Sequence, residues 1–569
     1  MKDVISQKQY FLTYTSVYSD FDLFDITNAI CSVPTYTAIE KICYMLSQVN
    51  FPWNSKNSVH VMTFFQWVLR LTKEDNHKVS KVIREKNLHS NPDFRFIDKA
   101  SSLMLIEYLL EYNNKKEQSL SREQESNLFK SYLWCVQKVI NKQREAFNYN
   151  INQDKDELIS KMLPAKLNFA EVESYKDYRI QVVKIIYFFK FCENDTVYKD
   201  YLKLFLNNYK LDSWEKYLLN LLTFYLNQSG NEEITPKFKI NEKNTQSINF
   251  INNLSTNESS FYQRTDDFKE LRNKPILKYG DNYLFLFFNF FVDKIYQGLL
   301  FDFVRVLKLN DCPISDFAKL KTDLGQKFSE HIAFYNIMDI CFKNYSNVRL
   351  KGEQIKEIVR KGEPDYYMRN GNNIFLFEFK DSTLNEKIKH SGDFNKIRTA
   401  IIEKFEETSK NQKKGVKQLI ASIINFQNSM FNRAELDIYD SNETVIYPII
   451  VLTDSSFETE GINYLMKNRF IELLESSNVN TQLLIKELVL INIDTLIALQ
   501  DVFNQSKLDF RNCINEYHAY SGKKDFILNR LYSFDKFLFQ QAFSVGYRYR
   551  APKEFKSMIN EQIEKEKNN

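Results

Sequence analysis

Glycine and proline are scarce in this chain, at 12 and 10 of 569 residues. So few turn-formers disfavour an all-β sandwich or barrel and favour long helices. Metal-ligating chemistry is thin as well. The seven cysteines (Cys31, Cys43, Cys135, Cys192, Cys312, Cys341, Cys513) are odd in number, scattered and without a CxxC. The six histidines form no HExxH or HNH-like group. That spacing argues against structural zinc and a disulfide framework, and fits a reducing cytoplasm. No GxxxxGK[ST] phosphate loop occurs, since Ser521-Gly-Lys-Lys524 lacks the preceding glycine, and no GxSxG nucleophile elbow is present. The longest greasy run, Tyr283 to Val292, is too short to cross a bilayer and meets Asp293 and Lys294 at once. The first residues, MKDVISQKQY, lack the apolar core of a signal peptide. A cytoplasmic protein with no membrane partner is expected. The net charge of +4 excludes a polycation, so a nucleic-acid surface must be a local patch.

What is present is apolar and aromatic: 43% hydrophobic and 15% aromatic residues, enough for two or three packed cores. Residues 1–260 read as helix after helix. Ser101–Tyr112, Leu128–Ile140 and Tyr178–Phe191 space apolar residues at three- and four-residue intervals. The polar stretch 227–253, ending near Glu258, marks a domain boundary by composition. Beyond it the texture turns mixed. Pro275 to Phe287 reads as two short strands around Gly280-Asp281. Helices follow at about 290–306 and 323–342, and strands at 363–369 and 373–380. A basic helical stretch covers roughly 384–428, and Val445–Thr453 and Glu487–Ile493 are buried strands. The expected fold is α+β overall: a large all-α N-terminal region (1–260), an α/β domain with a mixed central sheet (265–500), and a helical extension (501–569).

The chemistry concentrates in Glu363-Pro-Asp-Tyr-Tyr-Met-Arg-Asn-Gly-Asn-Asn-Ile-Phe-Leu-Phe-Glu-Phe-Lys-Asp381. Asn370-Gly371 between two β-prone runs is a strong hairpin signal, because both residues accept the positive φ of a type I′ turn. A two-residue loop at that dipeptide sets Asp365 opposite Leu376, and a four-residue loop sets it opposite Glu378. Either count puts Asp365, Glu378 and Lys380 on one side of the sheet and Phe375, Phe377 and Phe379 on the other. Two carboxylates suit a hard divalent cation such as Mg²⁺, with the Phe379 carbonyl as a further oxygen ligand. Lys380 is placed to orient a water or to offset charge on a phosphorane. An ordinary solvated strand face is the competing reading.

Pro364-Asp365, a short hairpin, then Glu378-Phe379-Lys380 resembles the signature of the PD-(D/E)xK, or restriction-endonuclease-like, nuclease superfamily. The resemblance covers about 320–455. It implies a small mixed sheet flanked by helices and Mg²⁺-dependent cleavage of DNA, with Mn²⁺ able to substitute. Asp365 and Glu378 map to its metal-binding acids and Lys380 to its catalytic lysine. Many members carry an extra acid on the helix before the hairpin, and Glu330 beside the Phe328, Ile332, Tyr335 stripe has that place. Many carry Gln or Lys on the helix after it, which points to Lys417 and Gln418. For all three, an exposed helix position is the alternative.

Basic residues crowd 387–417, among them Lys413, Lys414 and Lys417, where phosphates need neutralising, although glutamates interleave them. Tyr547-Arg-Tyr-Arg550 offers Arg548 and Arg550 beside aromatics for stacking on bases, against the blander reading of a docking segment. The expected protein is a metal-dependent endonuclease, with DNA before RNA as substrate. Its helical N-terminal region would bind a protein partner or nucleic acid, and a homo-oligomer would allow both strands to be cut. The size and appended helices resemble effector nucleases of prokaryotic antiviral defence. A nuclease fold without turnover, or a helical scaffold, is the rival.

Overall fold

The computed structural model describes residues 10–50, 56–149, 156–229, 235–257, 262–406, 413–440, 443–477, 479, 483–523, 526–548, 552, 555–557, 559–561 and 564. The chain divides into two compact units. One comprises Met1–Arg144, Val172–Val182 and Cys192–Asp316, and the other Glu145–Glu171, Val183–Phe191 and Phe317–Asn569.

The first unit is built mainly from helices, as its periodicity predicts. Thr35–Val49 packs on Lys99–Glu111, and the Asp98 side chain caps the latter by accepting from Ser101 N at 2.8 Å. Its core is aromatic: Phe64, Trp67, Phe96, Phe129 and Tyr132 meet with ring centroids 5.0–6.5 Å apart. An all-α N-terminal region is not what forms. Tyr10–Phe11 pairs with Phe94–Arg95, and Lys237–Phe238 and Ser255–Asn257 flank the expected hairpin of Ile276–Tyr279 and Asn282–Phe285 in a four-stranded sheet. The strands the sequence did not show are two or three residues long, too short to carry a period of two.

The second unit holds a six-stranded mixed sheet. Its strands are β1 (Val348–Lys351), β2 (Tyr366–Asn370), β3 (Asn373–Lys380), β4 (Val445–Leu452), β5 (Leu484–Ile485) and β6 (Val489–Asn492). The order is β5-β4-β3-β2-β1, with β6 also on β4. β1, β2 and β3 form an antiparallel meander, while β4 runs parallel to β3, β5 and β6. The mixed central sheet is therefore present. Ahead of it, Phe317–Leu324 (α1) passes into a π-helix, Gly325–Phe334, and then into α2, Tyr335–Phe342, where one α-helix was expected.

The two sheet faces follow from strand alternation. Tyr367, Ile374, Leu376, Ile446 and Ile450 face Val416, Leu419 and Ile423 of α3 (Val416–Gln427) in one core. On the other face Phe379 stacks on Phe334 at 4.8 Å, Phe377 meets Phe342 at 6.1 Å, and Phe375 meets Phe510 at 5.8 Å. Among the described residues no helix is long and apolar enough to cross a membrane.

Candidate active site

The hairpin closes one residue later than its Asn-Gly dipeptide suggested. Asn370 pairs with Asn373, so the loop is Gly371-Asn372, and of the two only Gly371 takes a positive φ, +57°. Glycine at the first central position suits a type II′ geometry, and the shift adds one more rung to the ladder. Extending the register by one step puts Asp365 opposite Glu378.

The three side chains on that face converge. Lys380 Nζ lies 3.0 Å from Glu378 Oε2 and 3.7 Å from Asp365 Oδ2. Asp365 Oδ2 accepts from the backbone N–H of Phe379 at 2.7 Å, which ties β2 to the end of β3. Glu378 is fully buried, and its Oε1 has no hydrogen-bond partner. An orphaned carboxylate oxygen in an apolar setting is costly. Burial and then repulsion from Asp365 push the Glu378 carboxyl well above its ordinary value, against the pull of Lys380. For Lys380, burial alone would lower the ammonium, but Asp365 and Glu378 outweigh it and hold it above its ordinary value.

Glu330 comes from the π-helix. Its carboxyl is pushed up to about 7 by burial and by the Asp365 charge, while Tyr335 Oη donates to its Oε1 at 3.0 Å. From α3, Gln418 Nε2 lies 3.4 Å from both Asp365 Oδ1 and the Glu363 carbonyl. The structure thus gathers Asp365, Glu378, Lys380, Glu330 and Gln418. The Phe379 side chain belongs to the opposite face, and its described link to the site is the N–H bond to Asp365.

The basic residues separate. Lys414 is half-buried, and its ammonium is lowered by burial and by repulsion from Lys404 and Lys380, so it sits within the field of the site. Lys417 lies 3.9 Å from Glu406, a carboxylate held bidentate by Arg469 at 2.6 and 3.1 Å. Lys413 is exposed. Arg548 donates to the Tyr547 carbonyl while Tyr547 Oη docks on the Ala498 carbonyl at 3.1 Å, the behaviour of a docking segment. Arg550 lies outside the described residues.

One group of residues escaped the sequence reading. Asp381, directly after Lys380, accepts from Ser329 Oγ and Thr453 Oγ1, both at 2.7 Å, and pairs with Lys321 Nζ. Burial opposes ionisation there, yet Lys321, Thr453 and Ser329 hold its carboxyl below its ordinary value. It fastens the helix carrying Glu330 to the ends of β3 and β4. Alternation was the available signal: it puts Asp381 on the phenylalanine face, where a carboxylate needs partners.

The site fits a hard divalent cation in one respect, the buried, unpartnered Glu378 oxygen beside a second carboxylate. Among the described residues no three His, Cys, Asp or Glu side chains gather to hold a metal, so a cation here would rest on two carboxylates and keep much of its hydration. No family model, curated protein or solved structure matches the chain, and the reading rests on the site itself.

Proposed function

We propose that the second unit is a metal-dependent nuclease of the PD-(D/E)xK type, cutting phosphodiester bonds of nucleic acid, with DNA as the first expectation. The observation that carries this is the fully buried Glu378, its Oε1 unpartnered, set beside Asp365 and Lys380 at the end of one strand. Two facing carboxylates and an ammonium held this far from water are expensive to keep together, and perturbed groups of this kind cluster at working sites.

Asp365 and Glu378 would hold Mg²⁺ or Mn²⁺, which when bound polarises a phosphoryl oxygen and acidifies a water. Lys380 holds its proton firmly between the two carboxylates and would stabilise negative charge as it develops on the phosphate oxygens. Gln418 and the Phe379 N–H fix the Asp365 carboxyl from two sides. Lys414, a half-buried cation that feels the Lys380 charge, would meet the substrate backbone. The first unit would serve as a recognition or partner-binding module, and an antiviral effector role is the setting this architecture suggests.

The test is incubation of purified protein with circular DNA, linear DNA and RNA, in Mg²⁺ or Mn²⁺ and again in EDTA. Cleavage of at least one substrate, abolished by EDTA, supports the reading. A protein that binds none of the three, and cuts none in either metal, would contradict it.

A further inference from the structure

Strand β1 is an edge of the sheet, and beside it lies a cavity of about 650 Å³. Its lining includes Lys343, Asn347, Arg349, Lys351, Tyr366 and a single acid, Asp339. Three cations against one carboxylate leave a net positive wall, and the pairing within it is loose. Asp339 Oδ1 already accepts from Tyr366 Oη at 2.8 Å, while Lys351 Nζ stands 3.4 Å and Arg349 Nε 3.9 Å from the carboxylate. Arg349 spends its Nη1 on the Phe342 and Lys343 carbonyls at 3.0 and 2.8 Å and on Ser346 Oγ at 3.1 Å, and its buried Nε faces Asp339, which together fix the guanidinium. A fixed guanidinium and two ammonium groups on one cavity lining, against a single carboxylate, suit a tetrahedral oxyanion.

The cavity is also close to the chemistry. Lys351 Nζ lies 5.4 Å above the Tyr335 ring, and Tyr335 is the residue that donates to Glu330. It continues away from the site as well. Asn347 Oδ1 accepts from Gly371 N at 2.8 Å, and Gly371 helps line a second cavity of about 530 Å³ together with the pair Asp509 and Arg511. Two cavities whose linings meet at the Asn347–Gly371 hydrogen bond suit a polymer better than one small anion.

We propose that the β1-edge cavity seats a backbone phosphate of the bound nucleic acid, away from the scissile bond. The inference rests on the nuclease reading and adds the path of the strand. Lys343, Arg349 and Lys351 then act on affinity and register, not on bond cleavage.

The experiment measures binding alone. A fluorescein-labelled duplex, and its RNA counterpart, are titrated with Asp365→Ala protein in EDTA across a range of KCl concentrations. The same is done with Lys343→Gln and Lys351→Gln combined in that background, and with Lys351→Arg. The combined variant should bind more weakly regardless of sequence, its salt slope reduced by about one for each phosphate that is no longer neutralised. Lys351→Arg should keep the parent slope, and matching melting curves would establish that the fold is intact. Parent affinity and slope in the combined variant would overturn the cavity assignment and leave the nuclease reading standing. Failure of the parent protein to bind DNA or RNA would overturn the cavity assignment, and the nuclease reading with it only where the unsubstituted protein also binds and cuts none in Mg²⁺ or Mn²⁺. Calorimetric titration with inorganic phosphate separates the two sources of the anion. Saturable phosphate binding that the combined variant abolishes, with nucleic-acid affinity unchanged, would mean a free-phosphate site and would also overturn the proposal.

Discussion

Replacing Asp381 by Asn should destabilise the second unit severely, because it strands a buried cation. The Asp381 and Lys321 side chains are only 8% and 14% exposed, and the carboxylate answers Lys321, Ser329 and Thr453 together. Removing one partner of a buried ion pair costs about 3–5 kcal/mol, since the other charge stays in low dielectric unpaired. At roughly 2–4 °C per kcal/mol for a large domain, the melting temperature at pH 7 should fall on the order of 10 °C. Acid reverses the comparison. The Asp381 carboxyl lies below its ordinary value in the folded protein, so its contribution is present above the unfolded value, near 4. It is lost as the pH falls through the folded value, so the gap between parent and variant should close on acidification. Combining Asp381→Asn with Lys321→Met should recover part of the loss, because no charge is then left alone. Thermal unfolding followed by circular dichroism across pH measures all three. A shift worth less than about 1 kcal/mol at pH 7, or a double variant as unstable as the single one, would refute the reasoning.

Glu330→Gln should act with the opposite sign. The Glu330 carboxyl is raised to about 7, so its ionised form costs folding free energy above the unfolded value near 4.5. The variant should gain roughly 1–3 kcal/mol at pH 8 and nothing below about pH 4.5, read from melting temperatures at the two pH values. Mg²⁺ or Mn²⁺ at a hundred times its dissociation constant should stabilise the parent by about 2.7 kcal/mol, an increment that EDTA and either Asp365→Ala or Glu378→Ala removes. Gly415→Ala should cost about 1–3 kcal/mol and weaken cleavage, because Gly415 holds a φ of +52° and an added Cβ would sit 2.5 Å from the Phe405 carbonyl oxygen. The displaced start of α3 carries Lys417 and Gln418, and paired denaturation and activity curves would report both effects.

The hairpin was legible because two signals agreed: an Asn-Gly turn and strict alternation of charged and phenylalanine positions. Its exact closure was not, since one further rung at Asn370–Asn373 depends on pairing beyond the dipeptide. Val445–Leu452 and Val489–Asn492 were readable as buried strands, their composition giving no hint of partners or direction. The π-helix was invisible, because an i→i+5 pattern leaves the apolar stripe of Phe328 and Tyr335 looking helical in the ordinary way. Two short segments, Glu145–Glu171 and Val183–Phe191, pack with the second unit although the chain around them belongs to the first. No charge run or glycine marks those crossings. Within the site, Asp365, Glu378 and Lys380 are close in sequence and were found together. Asp381 was passed over because its partners Lys321, Ser329 and Thr453 lie 52 to 72 residues away.

The most direct test of the account is single-turnover cleavage of DNA and RNA in Mn²⁺ by Asp365→Ala, Glu378→Ala and Lys380→Ala beside the parent protein, with folding checked by circular dichroism. The account predicts that the parent cuts and that each folded variant loses at least two orders of magnitude in rate, as expected when a group stabilising transition-state charge is removed. Undiminished cutting by all three folded variants would contradict it.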